Sequence, residues 1–298
     1  MITLQKDFPA LIRKLRPDVV IAGYDPRFIT NFIGYKVARR LGIKWIWWGH
    51  GIRPRDKYHF IYKKMADMAD AIILYGSPAK EKLALLGVRK DMLFVAWNSI
   101  DTSEIDKYYS PTPYQQRYRI LYIGRLVPGK KIGVLIDAFA RALSSMSKDT
   151  ILTLIGDGPE RLRLHSICSS HNIFQNVEFT GALYTQDTIS PYMNTSFLSI
   201  SPGPIGLSAI QCLAYAVPLL VADNEPHGPE ESVIEEHVNG VYFKSNSVED
   251  LESHLLDLCI NREKVAEMGA AGRIAAYERF SVEAMVRSFQ KALDYVLK

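Results

Sequence analysis

The sequence predicts an α/β protein built from two doubly wound domains. Three observations carry that expectation. Short apolar runs alternate with segments of helical spacing across residues 18–96, the rhythm of a parallel sheet covered on both faces. That rhythm breaks over residues 107–117 (KYYSPTPYQQR), which hold two prolines and no apolar periodicity, and read as a linker. It then restarts at Arg119, and a chain of 298 residues has the length of two ordinary domains.

Each element has its own local reason. Residues 6–16 form a short amphipathic helix, with Phe8, Leu11, Ile12 and Leu15 on one side, stopped by Pro17. Residues 18–23 read as a strand, 28–41 as a helix ended by Gly42, and 44–48 as a strand running into Gly49-His50-Gly51. A helix over 57–68, a strand over 71–75, a helix over 78–86 and a strand over 92–96 complete the first half. Beyond the linker the reading is strand 119–123, helix 132–144, strand 150–155, helix 159–170, strand 177–179 and a short helix 189–193. Residues 198–223 (LSISPGPIGLSAIQCLAYAVPLLVAD) then read as strand, glycine-proline loop, helix and strand. A strand over 240–243 and helices over 248–258 and 262–298 follow.

The 198–223 stretch organises the second half. A loop turning from a strand into a helix aims backbone N–H groups and the positive helix end at one spot, where anions bind. In open parallel sheets ligands sit at such carboxyl ends. An ordinary βα turn without a ligand fits these residues equally well.

Composition narrows the classes. No apolar run reaches membrane-spanning length and no secretory leader begins the chain. Cys168, Cys212 and Cys259 lie far apart, without metal spacing, and read as reduced core thiols of a cytoplasmic protein. Residues 1–110 hold 19 lysines and arginines against 11 aspartates and glutamates, a net +8. The remainder holds 17 against 21, a net −4. A basic first half suits anionic lipid, a phosphate-bearing acceptor or nucleic acid, or is a solvated surface.

Several motifs stand in one order: Tyr122-Ile123-Gly124-Arg125-Leu126-Val127-Pro128-Gly129-Lys130-Lys131, Leu154-Ile155-Gly156-Asp157-Gly158-Pro159, Phe179-Thr180-Gly181, the 198–223 loop, Pro229-Glu230 and Asn239-Gly240. As an ensemble they resemble the retaining GT-B glycosyltransferases of family 4, which transfer sugars from nucleotide donors. The resemblance covers the whole second half and fits the first half more loosely. It implies two Rossmann-like domains facing a cleft: residues 1–108 as a shortened, incomplete acceptor-side domain, 109–280 as the nucleotide-sugar domain, and 281–298 as a helix crossing back to the first.

The same resemblance implies the site. Arg125 and Lys130 match the family's phosphate-binding pair, and an arginine fork with a lysine point charge suits the diphosphate of a leaving nucleotide. Lys131 stands where a glycine is usual. Gly124, Gly156, Gly181, Gly203, Gly206, Leu207 and Ser208 would line the donor, with Gln211 near a ribose hydroxyl. The usual pattern places glutamates at the positions of Gly203 and Gln211, and neither is present. Glu230 and Glu231 are the nearest acidic candidates to the donor. As a helix N-terminal pair they have an equally good structural role. His50, between two glycines at a strand end, is the catalytic candidate of the first domain. Arg53 and Arg55, which follow it, fit an acceptor phosphate and fit equally well as surface charges.

No Asp-x-Asp follows a strand and no His/Cys cluster has metal spacing, so neither a catalytic metal nor another cofactor is expected. The expected partners are a nucleotide sugar, a cell-envelope glycan or lipid-linked acceptor, and the anionic inner face of the cell membrane, touched peripherally from the cytoplasm, and not nucleic acid. A nucleotide-sugar 2-epimerase of the same fold and a non-catalytic nucleotide-sugar-binding subunit are the competing readings.

Overall fold

The structure is a computed structural model, and it describes residues 5–52 and 59–298. Arg53 and Arg55, singled out on the sequence, lie outside the described residues, as does the start of the helix expected over 57–68. The chain divides into two compact units, Met1–Asn98 with Glu283–Lys298, and Ser99–Val282.

In the first unit, helix α1 (Phe8–Leu15) precedes strand β1 (Val19–Gly23), followed by α2 (Ile29–Arg40), β2 (Lys44–Gly49), α3 (His59–Met68), β3 (Ala71–Leu74), α4 (Ser77–Leu85) and β4 (Leu93–Val95). The four strands form one parallel sheet in the order β1-β2-β3-β4. Strand residues alternate between faces. Trp45 and Trp47 point into a core with Ile12, Val37, Tyr62, Met65 and Leu83, and the Trp47 indole N–H donates to the Met65 carbonyl at 2.7 Å. Ile46 and Ile73 point the other way, against Ala292 and Val296. Those two residues belong to the last helix of the chain, numbered α12 below, which packs into this unit.

The second unit begins with α5 (Thr102–Asp106), a short helix that the sequence reading omits. The Asp101 carboxylate caps it by accepting from the Ser103 and Glu104 N–H groups. Residues 106–110 attach to this unit through the Arg273–Asp106 ion pair at 2.7 Å and the Asn194 amide on the Tyr108 carbonyl. Then come β5 (Arg119–Ile123), α6 (Ile132–Ala142), β6 (Ile151–Ile155), α7 (Arg161–Ser170), β7 (Val177–Gly181), α8 (Gln186–Thr195), β8 (Ser196–Ser201), α9 (Leu207–Ala214), β9 (Leu219–Ala222) and β10 (Gly240–Phe243). Helices α10 (Val248–Ile260), α11 (Arg262–Arg279) and α12 (Val282–Leu297) end the chain.

The six strands run parallel in the order β10-β9-β8-β5-β6-β7. Chain order reverses at β5: the path goes outward through β6 and β7, then returns to β8 on the other flank. Right-handed crossovers therefore put the helices of the two halves on opposite faces. The pair β5 and β8 is the switch point, and the loops leaving their carboxyl ends border the crevice such a sheet offers a ligand.

Candidate functional site

The site grows from the loops that leave β5, β6 and β8. The turn after β5 is sewn to the turn after β6: the Gly124 N–H donates to the Ile155 carbonyl at 3.0 Å, the Leu126 N–H to the Asp157 carbonyl at 2.9 Å, and the Glu160 N–H to the Leu126 carbonyl at 3.0 Å. Gly156 is required here. Its φ is +148°, and a Cβ would stand 1.9 Å from the Gly124 carbonyl oxygen. Its N–H reaches the Gly181 carbonyl at 2.8 Å. Three of the sequence-predicted glycines thus form one backbone lattice under the site.

The β5 turn ends in a tight Pro128–Lys130 turn, and Lys131 adopts the left-handed region at φ 53°. A glycine's conformation is here carried by lysine, and the side chain has a use: its ammonium pairs with Glu225, whose side chain is 5% exposed, and lies 3.2 Å from the Ser245 hydroxyl.

Lys130 faces the β8 loop, and its ammonium donates to the Pro204 carbonyl. Burial first, then the neighbouring Arg125 charge, pulls its pKa below the ordinary lysine value, while Glu230 opposes the shift. Arg125, Lys130 and Glu230 therefore share one electrostatic neighbourhood. Glu231, with Glu236, adds to the burial that pushes the Tyr242 hydroxyl up to about 12.

Gly203 seals the contact between the two loops. A Cβ there would stand 2.7 Å from the Gly129 carbonyl oxygen and 2.9 Å from the Lys130 Cα. The turn carrying Lys130 thus lies directly against the backbone at 203, where no side chain fits. Gly206 precedes α9 in extended conformation, and the Ser208 hydroxyl donates to the Ile123 carbonyl at 3.3 Å, tying the helix start to the end of β5. Leu207 and Ser208 begin that helix, so their N–H groups are among those a helix leaves without an internal partner.

Two residues absent from the predicted site hold it in shape. His227 bridges two loops: its Nδ1 accepts from the Ile205 N–H at 3.2 Å, and its Nε2 lies 2.9 Å from the Ala222 carbonyl, to which it donates. Neutral imidazole with the proton on Nε2 fits both bonds. The sequence signal was present, since His227 opens the His-Gly-Pro-Glu-Glu run. His227→Ala is expected to lower stability by about 1–2 kcal/mol, as two backbone groups lose their partner. Urea unfolding with an unchanged midpoint would show that the bridge does not hold the loop. Gln186 is the other residue: its side-chain oxygen accepts from the Gln211 amide at 3.3 Å and from the Tyr215 hydroxyl at 3.1 Å.

Gly124, Arg125, Lys130, Gly156, Gly181, Gly203, Gly206, Leu207, Ser208, Gln211 and Glu230 all lie in the second unit, at or beside the carboxyl ends of its strands. His50 lies in the first unit, just past β2, with its ring 4.7 Å from that of Tyr75. Among the described residues no group of three or more His, Cys, Asp or Glu side chains is placed to hold a metal ion.

Known proteins share this architecture. A glycosyltransferase from Rickettsia africae superimposes with a TM-score of 0.76 at 17% identity, covering 98% of this chain and 80% of that one. Anabaena HepE, solved in complex with UDP, does so with a TM-score of 0.70 at 18% identity, covering 96% and 81%. Both matches show the GT-B fold. In sequence, the poly(ribitol-phosphate) alpha-N-acetylglucosaminyltransferase of Staphylococcus aureus is 24% identical over 181 residues, 60% of this chain. The chain spans only 36% of that relative's length. The pattern described as glycosyl transferases group 1 matches residues 108–275, more than half of the chain and the whole of the β5–β10 sheet, and the protein belongs to that family.

Proposed function

We propose that the protein is a retaining glycosyltransferase that moves a sugar from a nucleotide-diphosphate donor to a cell-envelope glycan or lipid-linked acceptor. One observation carries the donor assignment: a half-buried lysine, Lys130, is fixed across the switch point on the loop that starts α9, with Arg125 beside it. Two cations and a helix start converge there, a set suited to a diphosphate leaving group. In this reading fixed side-chain charge does the work a metal does elsewhere, so no metal is required. The UDP held by HepE makes UDP the first donor nucleotide to test, and the ribitol-phosphate polymer named for the Staphylococcus relative supports an envelope acceptor.

The acceptor side of the proposal rests on His50 and on Arg53 and Arg55. A cytoplasmic protein touching the membrane peripherally belongs to the same proposal. It draws on the net +8 of residues 1–110 and on Phe60, which is 69% exposed in the basic stretch around Lys63 and Lys64. Among the described residues no helix is long and apolar enough to cross a membrane.

A second reading, a nucleotide-sugar-binding subunit without turnover, draws support from Gly203 and Gln211, where the family's usual carboxylates are replaced by a packed glycine and a neutral amide. One experiment separates the two. Melting temperatures measured against a panel of nucleotides and nucleotide sugars should rise with the true donor. Donor consumption with an envelope extract as acceptor should then proceed in excess EDTA. Binding without consumption favours the subunit, activity restored only by Mg²⁺ or Mn²⁺ defeats metal independence, and no nucleotide binding defeats both readings.

A further inference from the structure

We infer that Gln186 is a positioning residue that makes position 211 a neutral acceptor for a ribose hydroxyl, an inference resting on the donor site proposed above. Gln186 opens α8 and Gln211 lies on the second turn of α9. The Gln186 carbonyl oxygen takes two donors, the Gln211 Nε2 at 3.3 Å and the Tyr215 hydroxyl at 3.1 Å. A carbonyl oxygen has two lone pairs, so both are in use. Tyr215 is fully buried, and that burial pushes its hydroxyl up to about 12. It therefore keeps its proton at any working pH, and it donates that proton to the Gln186 oxygen.

The consequence falls on Gln211. With its nitrogen end engaged by Gln186, its carbonyl oxygen is the end left for a ligand. Gln211 lines a cavity of about 640 Å³ in the second unit, together with Gln186, Leu207 and Ser208 and the acidic residues Asp101, Glu104 and Asp187. The three acidic residues in its lining disfavour a phosphate there, even with Asp101 engaged in capping α5 and Glu104 paired with Lys107. They leave it suited to neutral hydroxyl groups, which donate to carboxylate and amide oxygens alike. A glutamate at 211 would add a fourth negative charge and set a carboxylate against a Gln186 oxygen already filled. The amide at 211 and the amide at 186 are thus a matched pair: one supplies the acceptor, the other turns it toward the cavity.

The test uses the whole chain with UDP and GDP, their 2′-deoxy and 3′-deoxy forms, and inorganic pyrophosphate, by calorimetry. Wild type should bind a ribonucleotide about fivefold or more tighter than one of its deoxy forms, the worth of one hydrogen bond. Gln186→Met keeps the volume and removes the acceptor, and should reduce that preference to below twofold with pyrophosphate affinity unchanged. A merely structural role would move the two together. Gln186→Glu keeps acceptor oxygens and should restore at least half of the preference. Tyr215→Phe, an isosteric change, serves if the methionine variant does not fold, and should reduce the preference at least twofold. Undiminished ribose preference in Gln186→Met or Tyr215→Phe overturns the inference and leaves the donor site standing. Equal binding of ribo and deoxy forms by wild type overturns it as well. Failure of wild type to bind either diphosphate overturns the donor site, and the inference with it.

Discussion

Lys130→Ala is expected to weaken nucleotide-diphosphate binding about 30-fold, on the order of 2 kcal/mol for a lost charge-assisted contact in a partly buried site. Two effects combine. The diphosphate loses a point charge, and the Pro204 carbonyl loses the ammonium that holds the β8 loop against the β5 turn. The depressed pKa of Lys130 has the same origin, since burial and Arg125 already make its charge costly in the empty site. An anion relieves that cost, so a ligand gains more from Lys130 than from an exposed lysine. Arg125 lies on the surface, and Arg125→Ala should lose less, within about tenfold, because solvent screens its contribution. Lys130→Arg should rescue little: the guanidinium is larger and planar, and a site shaped around one carbonyl favours the compact ammonium. Calorimetric titration with UDP and GDP reads all three variants. Undiminished affinity in both alanine variants would remove the pair from the donor site.

Much of the second unit was legible because its signals are local. Residues 119–123 and 240–243 are apolar runs bounded by turn residues, and both are strands with those limits. The glycines at 124, 156 and 181 stood out within the ordered motifs, and the structure ties them together at the strand ends through Gly124–Ile155 and Gly156–Gly181 bonds. What stayed hidden depends on contacts between distant residues. Gly203 meets Gly129 and Lys130 across more than seventy positions, and no local pattern records that approach. Helix α8 starts at Gln186, three residues before the sequence reading begins it, because Pro191 inside the helix weakens the periodic signal. Gln186 therefore stayed outside every predicted element, although its partner Gln211 was singled out. Helix α5 was missed for a different reason: five residues show no apolar period, and only the cap at Asp101 marks it. Lys131 shows the reverse case: it stands where the resemblance implies a glycine, yet adopts the left-handed conformation itself and uses its side chain to reach Glu225.

Gly203→Glu, which places a carboxylate where the sequence resemblance implies one, is expected to abolish diphosphate binding and to cost roughly 3 kcal/mol of stability, the upper range for overpacking. The atoms a Cβ would meet are the Gly129 carbonyl oxygen at 2.7 Å and the Lys130 Cα at 2.9 Å. Both are backbone atoms, so neither can swing aside as a flexible side chain would. Relief requires moving the Pro128–Lys130 turn, which takes Lys130 away from the Pro204 carbonyl and breaks the convergence of charge that the proposed site depends on. Gly203→Ala carries the same Cβ without the charge. If sterics decide the outcome, the alanine variant should lose most of the stability and most of the binding too, with the glutamate adding only a further electrostatic loss beside the diphosphate. If instead the position is a catalytic seat waiting for its carboxylate, Gly203→Glu should fold as well as wild type and raise the rate of donor consumption while Gly203→Ala does not. Denaturation midpoints, UDP affinity and turnover for the two variants decide between these outcomes. A stable and more active Gly203→Glu protein would show that the packed glycine is a substitution the chain can reverse, and not the contact that sets Lys130 in place.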